Sequence, residues 1–230
     1  MSDTEFTRFA VYAVPEGDLA AFGAAWLGWD CIGGRLRAHP EVAGLPRSIS
    51  EMTERPRKYG FHGTIKPPFR LAEGQSAGAL DSALARLCRM LGPVTLDGLD
   101  LAALGRFLAL VPRGPTTLLA HTASSVVREL DRFRAPRTED EIARRRPDSL
   151  NPTQAALLKQ WGYPYVMEEF RFHLTLTGPL TADDLSATEA ALQRDLVPHL
   201  PAPFTLDSLC LCGEAPNGRF HVIERHPLTG

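Results

Sequence analysis

Apolar residues recur at every second position in some stretches of this chain and at every third or fourth in others, and the switches between the two periods outline its elements. The segment RFAVYAV (8–14) is rich in β-branched and aromatic residues and predicts a strand. After it, residues 15–29 place Leu19, Phe22, Ala25, Trp26 and Trp29 at helical spacing. In YGFHGTI (59–65) the period is two, with Phe61, Gly63 and Ile65 on one face and His62 and Thr64 on the other. Pro67 and Pro68 are expected to stop that strand. A helix is predicted from about Gln75 to Leu91, closed by Gly92 and Pro93. Two apolar runs, VTLDGLDLAAL (94–104) and RFLALVP (106–112), flank Gly105 and read as a hairpin.

The same order then returns. FRFHLTLTGPL (170–180) reads as a strand ended by Gly178 and Pro179, and Thr181 with Asp184 resembles a capping box that opens a helix to about Leu196. FTLDSLCLCG (204–213) and RFHVIER (219–225), joined by EAPNG, form a second hairpin. His62 lies 35 residues before Asp97 of TLDGL, and His173 lies 34 before Asp207 of TLDSL. From His62 to Phe107 of one GRF triplet is 45 residues, and from His173 to Phe220 of the other is 47. An internal repeat of about 110 residues explains both series. The chain reads as one domain of 230 residues with a first unit at about 59–112, a helical connector at about 121–169 and a second unit at about 170–226. Within the connector, Thr138 with Glu141 and Asn151 before Pro152 mark helix starts, and the charge run TEDEIARRRPD reads as a solvated helix face.

Composition narrows the function classes. A formal net charge of −2 and a pI near 6.4 provide no whole-molecule attraction for nucleic acid or anionic membrane. Cys31, Cys88, Cys210 and Cys212 are too few for a disulfide scaffold and contain no C-x-x-C pair, which fits a reducing compartment. The first 18 residues carry acids where a signal peptide is basic, and no apolar run approaches the ~20 residues of a membrane span. A cytoplasmic protein without membrane contact is expected. Oligomeric state is not legible.

Chemistry enters with the two decamers GFHGTIKPPF (60–69) and RFHLTLTGPL (171–180). Each sets a histidine after phenylalanine, threonine two residues on and proline six residues on. Residues two apart on a strand share a face about 6.6 Å apart, so each unit offers an imidazole beside a hydroxyl. If the units pack about a pseudo-two-fold axis, His62, Thr64, His173 and Thr175 converge on one cleft. In-line displacement at phosphorus needs a base beside the attacking oxygen and an acid beside the leaving oxygen, and two imidazoles supply both at neutral pH. The threonine hydroxyls would donate to non-bridging phosphoryl oxygens. No metal or cofactor is called for.

The paired segments HGTI and HLTL resemble those of the two-histidine phosphoesterase superfamily, which includes cyclic nucleotide phosphodiesterases and RNA 2′,5′-ligase-like proteins. RPRKYGFHGTIKPPF with FRFHLTLTGPL is similar, more closely, to the branch associated with bacterial phosphonate-metabolism operons. The resemblance spans nearly the whole chain. It implies an α+β fold of two lobes, antiparallel sheets flanked by helices around a central cleft, with catalysis by the two His-x-Thr pairs. It implies a small phosphate-ester substrate, with a ribosyl cyclic phosphate suggested by the phosphonate setting, and RNA as a less favoured partner.

Further contacts to substrate are assigned to Lys66, on the parity of His62, and to Arg171, two before His173. Arg57 and Lys58 form the nearest basic cluster, Tyr59 leads into the first motif, and Tyr163 in WGYPYV is placed to roof the groove. For Tyr59 and Tyr163, packing in the core or at a helix end is the competing role. Two rival classes stand beside the enzyme: a non-catalytic nucleotide or RNA binding module, and a metal hydrolase. The second needs carboxylate or thiolate ligands that neither decamer contains.

Overall fold

The protein is described from a computed structural model covering residues 6–143 and 149–230; the connector arginines at 144–146 lie outside the described residues. Strand β1 (Arg8–Ala13) leads into helix α1 (Gly17–Leu27), a small ribbon of β2 (Trp29–Asp30) and β3 (Arg35–Leu36), and two single-turn helices, α2 (Ile49–Met52) and α3 (Glu54–Arg57). The first histidine precedes β4 (Gly63–Phe69). Then come α4 (Ala77–Cys88), β5 (Val94–Leu96), β6 (Gly98–Leu104) and β7 (Phe107–Arg113). The connector holds α5 (Thr117–Glu129), α6 (Glu139–Ala143) and α7 (Pro152–Trp161). The second histidine precedes β8 (Leu174–Thr175), followed by α8 (Ala182–Asp195), β9 (Phe204–Leu206), β10 (Ser208–Glu214) and β11 (Phe220–Pro227). Among the described residues no helix is long and apolar enough to cross a membrane.

The fold is α+β. Seven strands form one antiparallel sheet in the order β11-β10-β1-β4-β8-β7-β6, with helices packed against it. Its centre is the β4–β8 pair, where Gly63 lies opposite Leu174. These two residues follow the two histidines, so equivalent positions of the repeat face each other. The same holds at β5–β9, where Thr95 of TLDGL pairs with Thr205 of TLDSL and their hydroxyls approach to 3.2 Å. Two self-paired equivalents define a pseudo-two-fold axis between the halves.

Across that axis the units exchange parts. The first unit's hairpin, β6–β7, joins the second unit's β8, whereas the second unit's hairpin, β10–β11, joins β1 and through it β4. Helix α4 packs on β10 and β11, and α8 packs on β6 and β7. Each spatial half therefore combines a histidine strand and helix of one sequence unit with the hairpin of the other.

Two predicted strands change shape for local reasons. Pro67 and Pro68 do not end β4; they lie within it, where Lys66 and Phe69 face Val11 and Phe9, so β4 carries one residue more than β1 and the ladder bulges around the missing N–H groups. The second histidine strand, predicted across 170–180, is regular only at Leu174–Thr175. Leu176 and Thr177 both donate their N–H groups to the Leu108 carbonyl, and the Leu108 N–H donates to Thr177 Oγ1 instead of a main-chain carbonyl. That side chain ends the ladder.

Side-chain caps open three helices: Ser76 accepts from the Ala79 N–H at α4, the predicted Asn151 forms a capping box with Gln154 at α7, and the predicted Thr181 accepts from the Asp184 N–H at α8. The core is continuous across the halves. Trp26 of α1 is fully buried and its indole N–H donates to the Leu176 carbonyl at 2.8 Å, while the Gly178 N–H donates to the Met52 carbonyl at 2.7 Å. The four cysteines are buried and unpaired.

Candidate active site

The chain positions His62 from below and from behind. Phe61, just before it, is buried where an added Cβ on Gly23 of α1 would lie 2.0 Å from its ring, so the glycine makes room for this anchor. Gly60, at φ 74°, turns the chain close over Cys31 and presents its carbonyl to His62 Nδ1 at 2.9 Å. The imidazole stacks on Tyr12 of β1 with centroids 3.7 Å apart and planes 24° apart. Among the described residues the buried Tyr12 hydroxyl meets no hydrogen-bond partner, and the ring serves as a platform.

His173 is held in the same manner. Its Nδ1 lies 2.8 Å from the carbonyl of Arg171, again two residues back, and its ring faces Phe107 of β7 at 5.8 Å. Phe172 occupies the space above Gly63, where a Cβ would come within 2.3 Å of its ring. In both halves Nδ1–H donating to the carbonyl leaves the Nε2 lone pair for other partners. For His62 that partner is the Thr64 hydroxyl at 3.1 Å.

Register brings the two pairs together. Gly63 opposite Leu174 is the pair that joins β4 to β8, and continuing its antiparallel register by one residue each way would set His62 opposite Thr175 and Thr64 opposite His173 on the other face of the sheet. Directly opposed side chains in such a pair start about 5 Å apart. A cavity of about 210 Å³ opens on this face, lined by Arg55, Tyr59, His62, Phe107, Thr175 and Thr177, among others.

The electrostatics separate the two rings. Exposed area makes His62 half-buried, yet the ring lies packed among Tyr12, Tyr59 and the cavity wall. Loss of water there pushes its pKa down to about 4; the Gly60 carbonyl opposes this and the nearby His173 adds to it. An imidazole so placed is neutral at pH 7.

The other sequence candidates fall in different places. Tyr59 is in the cavity wall, 6.1 Å from the His62 ring. Lys66 is elsewhere: Thr64 pairs with Tyr12 and Lys66 with the adjacent Val11, so one extra residue on β4 inverts the parity and turns Lys66 into the opposite face. It is 2% exposed, donates to the Val127 carbonyl at 3.2 Å and sits 3.6 Å from Asp131. Arg57 spans from the Leu27 carbonyl to Ser50 and Thr53, tying α1 to α2. Lys58 is exposed over the Tyr59 ring and gives its carbonyl to the Phe220 N–H. Arg171 takes part through its carbonyl, with its side chain exposed. Tyr163 packs with Val127, Leu157 and Val166 beside the end of α7, an edge-on neighbour of Tyr165.

Three site residues escape the sequence reading. Phe107 stands in the repeated GRF triplet, Tyr12 alternates with the core residues of β1, and Arg55 lies two residues before Arg57. As for metals, the cavity presents an imidazole and hydroxyls and, among its described lining residues, no carboxylate or thiolate. No cluster of three or more metal-ligating side chains occurs among the described residues.

Gly63, which follows His62, thus lies opposite Leu174, which follows His173, and His62 and Thr175 line one cavity. The chain belongs to the family described as "Protein of unknown function (DUF1045)", whose profile matches residues 64–221. It is 36% identical over its whole length to the ribose 1,5-bisphosphate phosphokinase PhnN of Janthinobacterium sp. (strain Marseille), of which it covers 52%. It is 35% identical over 77% of its length to the PhnN of Laribacter hongkongensis (strain HLHK9), covering 42%. The chain thus spans about half the length of the curated relatives it matches. Among solved structures it is similar to E. coli LigT complexed with NADP+, with 15% identity, 98% of this chain and 100% of that one covered, and a TM-score of 0.47. A crystal structure of a phosphoesterase matches at 16% identity with a TM-score of 0.44, covering 98% of this chain and 100% of that one.

Proposed function

We propose that the chain is a phosphoesterase that hydrolyses a cyclic phosphate, or a related phosphodiester, of a ribosyl group with His62 and His173 as base and acid. The observation that carries this reading is the central register, Gly63 opposite Leu174, from which both His-x-Thr pairs follow on one face. His62 Nε2, kept neutral by burial, takes a proton from water as its oxygen attacks phosphorus. The bond from phosphorus to the departing ribose oxygen breaks, and His173 Nε2 gives that oxygen its proton. Thr64 and Thr175 donate to the non-bridging oxygens, where negative charge gathers. The reaction consumes one water and leaves a phosphomonoester. Nothing in this sequence of steps requires a metal ion.

Two observations favour a ribosyl group over a nucleotide or RNA end. The cavity, about 210 Å³, is smaller than the ~300 Å³ at which pockets for drug-sized ligands begin and is of a size for a pentose phosphate. The curated relatives are named for ribose 1,5-bisphosphate, which is what opening a 5-phosphorylated ribose 1,2-cyclic phosphate at its 2-oxygen would deliver.

The test is turnover in EDTA of ribose 1,2-cyclic phosphate, with and without a 5-phosphate, beside 2′,3′-cyclic nucleotides and a 2′,5′-linked dinucleotide, with products read by phosphorus NMR. Chelator-resistant opening of a ribosyl cyclic phosphate is expected. Activity that vanishes with EDTA would point to a metal hydrolase, and binding without turnover to a binding module.

A further inference from the structure

The basic side chains near the groove are unequally engaged. Arg57 spends its donors on Leu27, Ser50 and Thr53, Arg106 donates to the Leu180 carbonyl, and Lys66 is buried against Asp131. At the larger cavity beside α7, Arg134 and Arg137 donate to the carbonyls of Gln160 and Gly162 and so close the C-terminal end of that helix. Arg55 differs from all of these. Its side chain lines the same cavity as His62 and Thr175, it is exposed, and among the described residues it makes no hydrogen bond or ion pair.

Its backbone is nevertheless well placed. Arg55 belongs to the single turn of α3, between Thr53, which donates to the Ile49 carbonyl, and the buried Pro56. Its stem runs beside Gly178 of the other half, where an added Cβ would meet Arg55 Cβ at 3.7 Å and Cδ at 3.9 Å. Gly178 is itself fixed by the bond from its N–H to the Met52 carbonyl. A guanidinium thus lies across the junction of the halves, at a cavity whose described lining includes no carboxylate. Such a group has full charge at every working pH and two parallel N–H donors that match a phosphate or carboxylate edge.

Resting on the phosphoesterase reading above, we propose that Arg55 is a specificity residue that binds a second anionic group of the substrate, a terminal phosphate remote from the phosphorus under attack. On that reading the reacting phosphoryl is served by the two imidazoles and the hydroxyls of the His-x-Thr pairs. Arg55 comes from a different element and adds a binding point for the far end of a pentose bisphosphate. A substrate lacking that group forfeits one charge-assisted contact, worth roughly 10- to 100-fold.

The experiment compares kcat/KM for ribose 1,2-cyclic phosphate with and without the 5-phosphate in the wild type, Arg55→Gln and Arg55→Lys, together with calorimetric binding of ribose 5-phosphate to each. The wild type is expected to prefer the 5-phosphorylated substrate by at least tenfold. Arg55→Gln is expected to lose most of that ratio and to bind ribose 5-phosphate at least tenfold more weakly, while Arg55→Lys keeps part of both. An unchanged ratio with unchanged ribose 5-phosphate binding in Arg55→Gln overturns the assignment. A fall that is equal for both substrates also overturns it, because Arg55 would then act at the reacting phosphoryl. Absence of turnover in the wild type removes the phosphoesterase reading alone; Arg55-dependent binding of ribose 5-phosphate would still uphold the anion site.

Discussion

His62 and Lys66 lie four residues apart, and burial acts on both, yet it serves them differently. For His62 the dry, Tyr12-stacked environment holds the ring neutral, with its pKa near 4 instead of 6.5. The profile of kcat/KM against pH reports the free enzyme, so its acid limb should fall well below 6.5. A limb at 6.5 or above would mean that water reaches the ring. For Lys66, burial pushes the ammonium down to about 8, with Asp131 opposing. Its folded pKa is below the ordinary 10.5, so the unfolded chain holds the proton more tightly and stability should rise as pH climbs from about 8 to 10.5. Lys66→Met should remove that slope in denaturant titrations and leave stability at pH 7 within about 1 kcal/mol of wild type or above it, because an apolar side chain carries no charge to desolvate. Turnover close to wild type would agree with its position on the far face of the sheet. A large loss of turnover with unchanged stability would contradict that position.

At the scale of elements, the site depends on how β4 meets β8. Alternation in YGFHGTI and RFHLTLT made each His-x-Thr pair legible, since a period of two needs only the chain itself. The role of Lys66 was not legible, because parity holds only while the ladder is regular and the extra residue beside Ile65 is set by pairing with β1. The short β8 escaped notice for a similar reason: Thr177 ends it through a contact with Leu108, distant in sequence. Gly63 is the residue on which the pairing is most sensitive. A methyl group there would lie 2.3 Å from the Phe172 ring, and Phe172 sets the position of His173. Gly63→Ala should cost about 1–3 kcal/mol and lower turnover as well. Adding Phe172→Leu should recover part of the stability. Wild-type stability in Gly63→Ala alone would show that Phe172 moves aside freely.

Over the whole molecule, a repeat of about 110 residues predicts two related halves, and Thr95 stands opposite Thr205 where β5 pairs with β9. It could not tell which hairpin lies against which histidine strand, because the hydrophobic pattern of a strand carries no label for its neighbour. The exchange of hairpins makes each half depend on both units, and Trp26, reaching from α1 to the Leu176 carbonyl, links the halves near the second histidine. Phe107 is likewise brought to His62 by assembly of the halves and not by local sequence. The central claim is that two imidazoles, one from each half, share one displacement at phosphorus. Single-turnover rates of His62→Ala and His173→Ala on the ribosyl cyclic phosphate, with circular dichroism to verify folding, test it most directly. Each variant should lose at least ~10²-fold while remaining folded; near-normal turnover in either would contradict the paired acid and base.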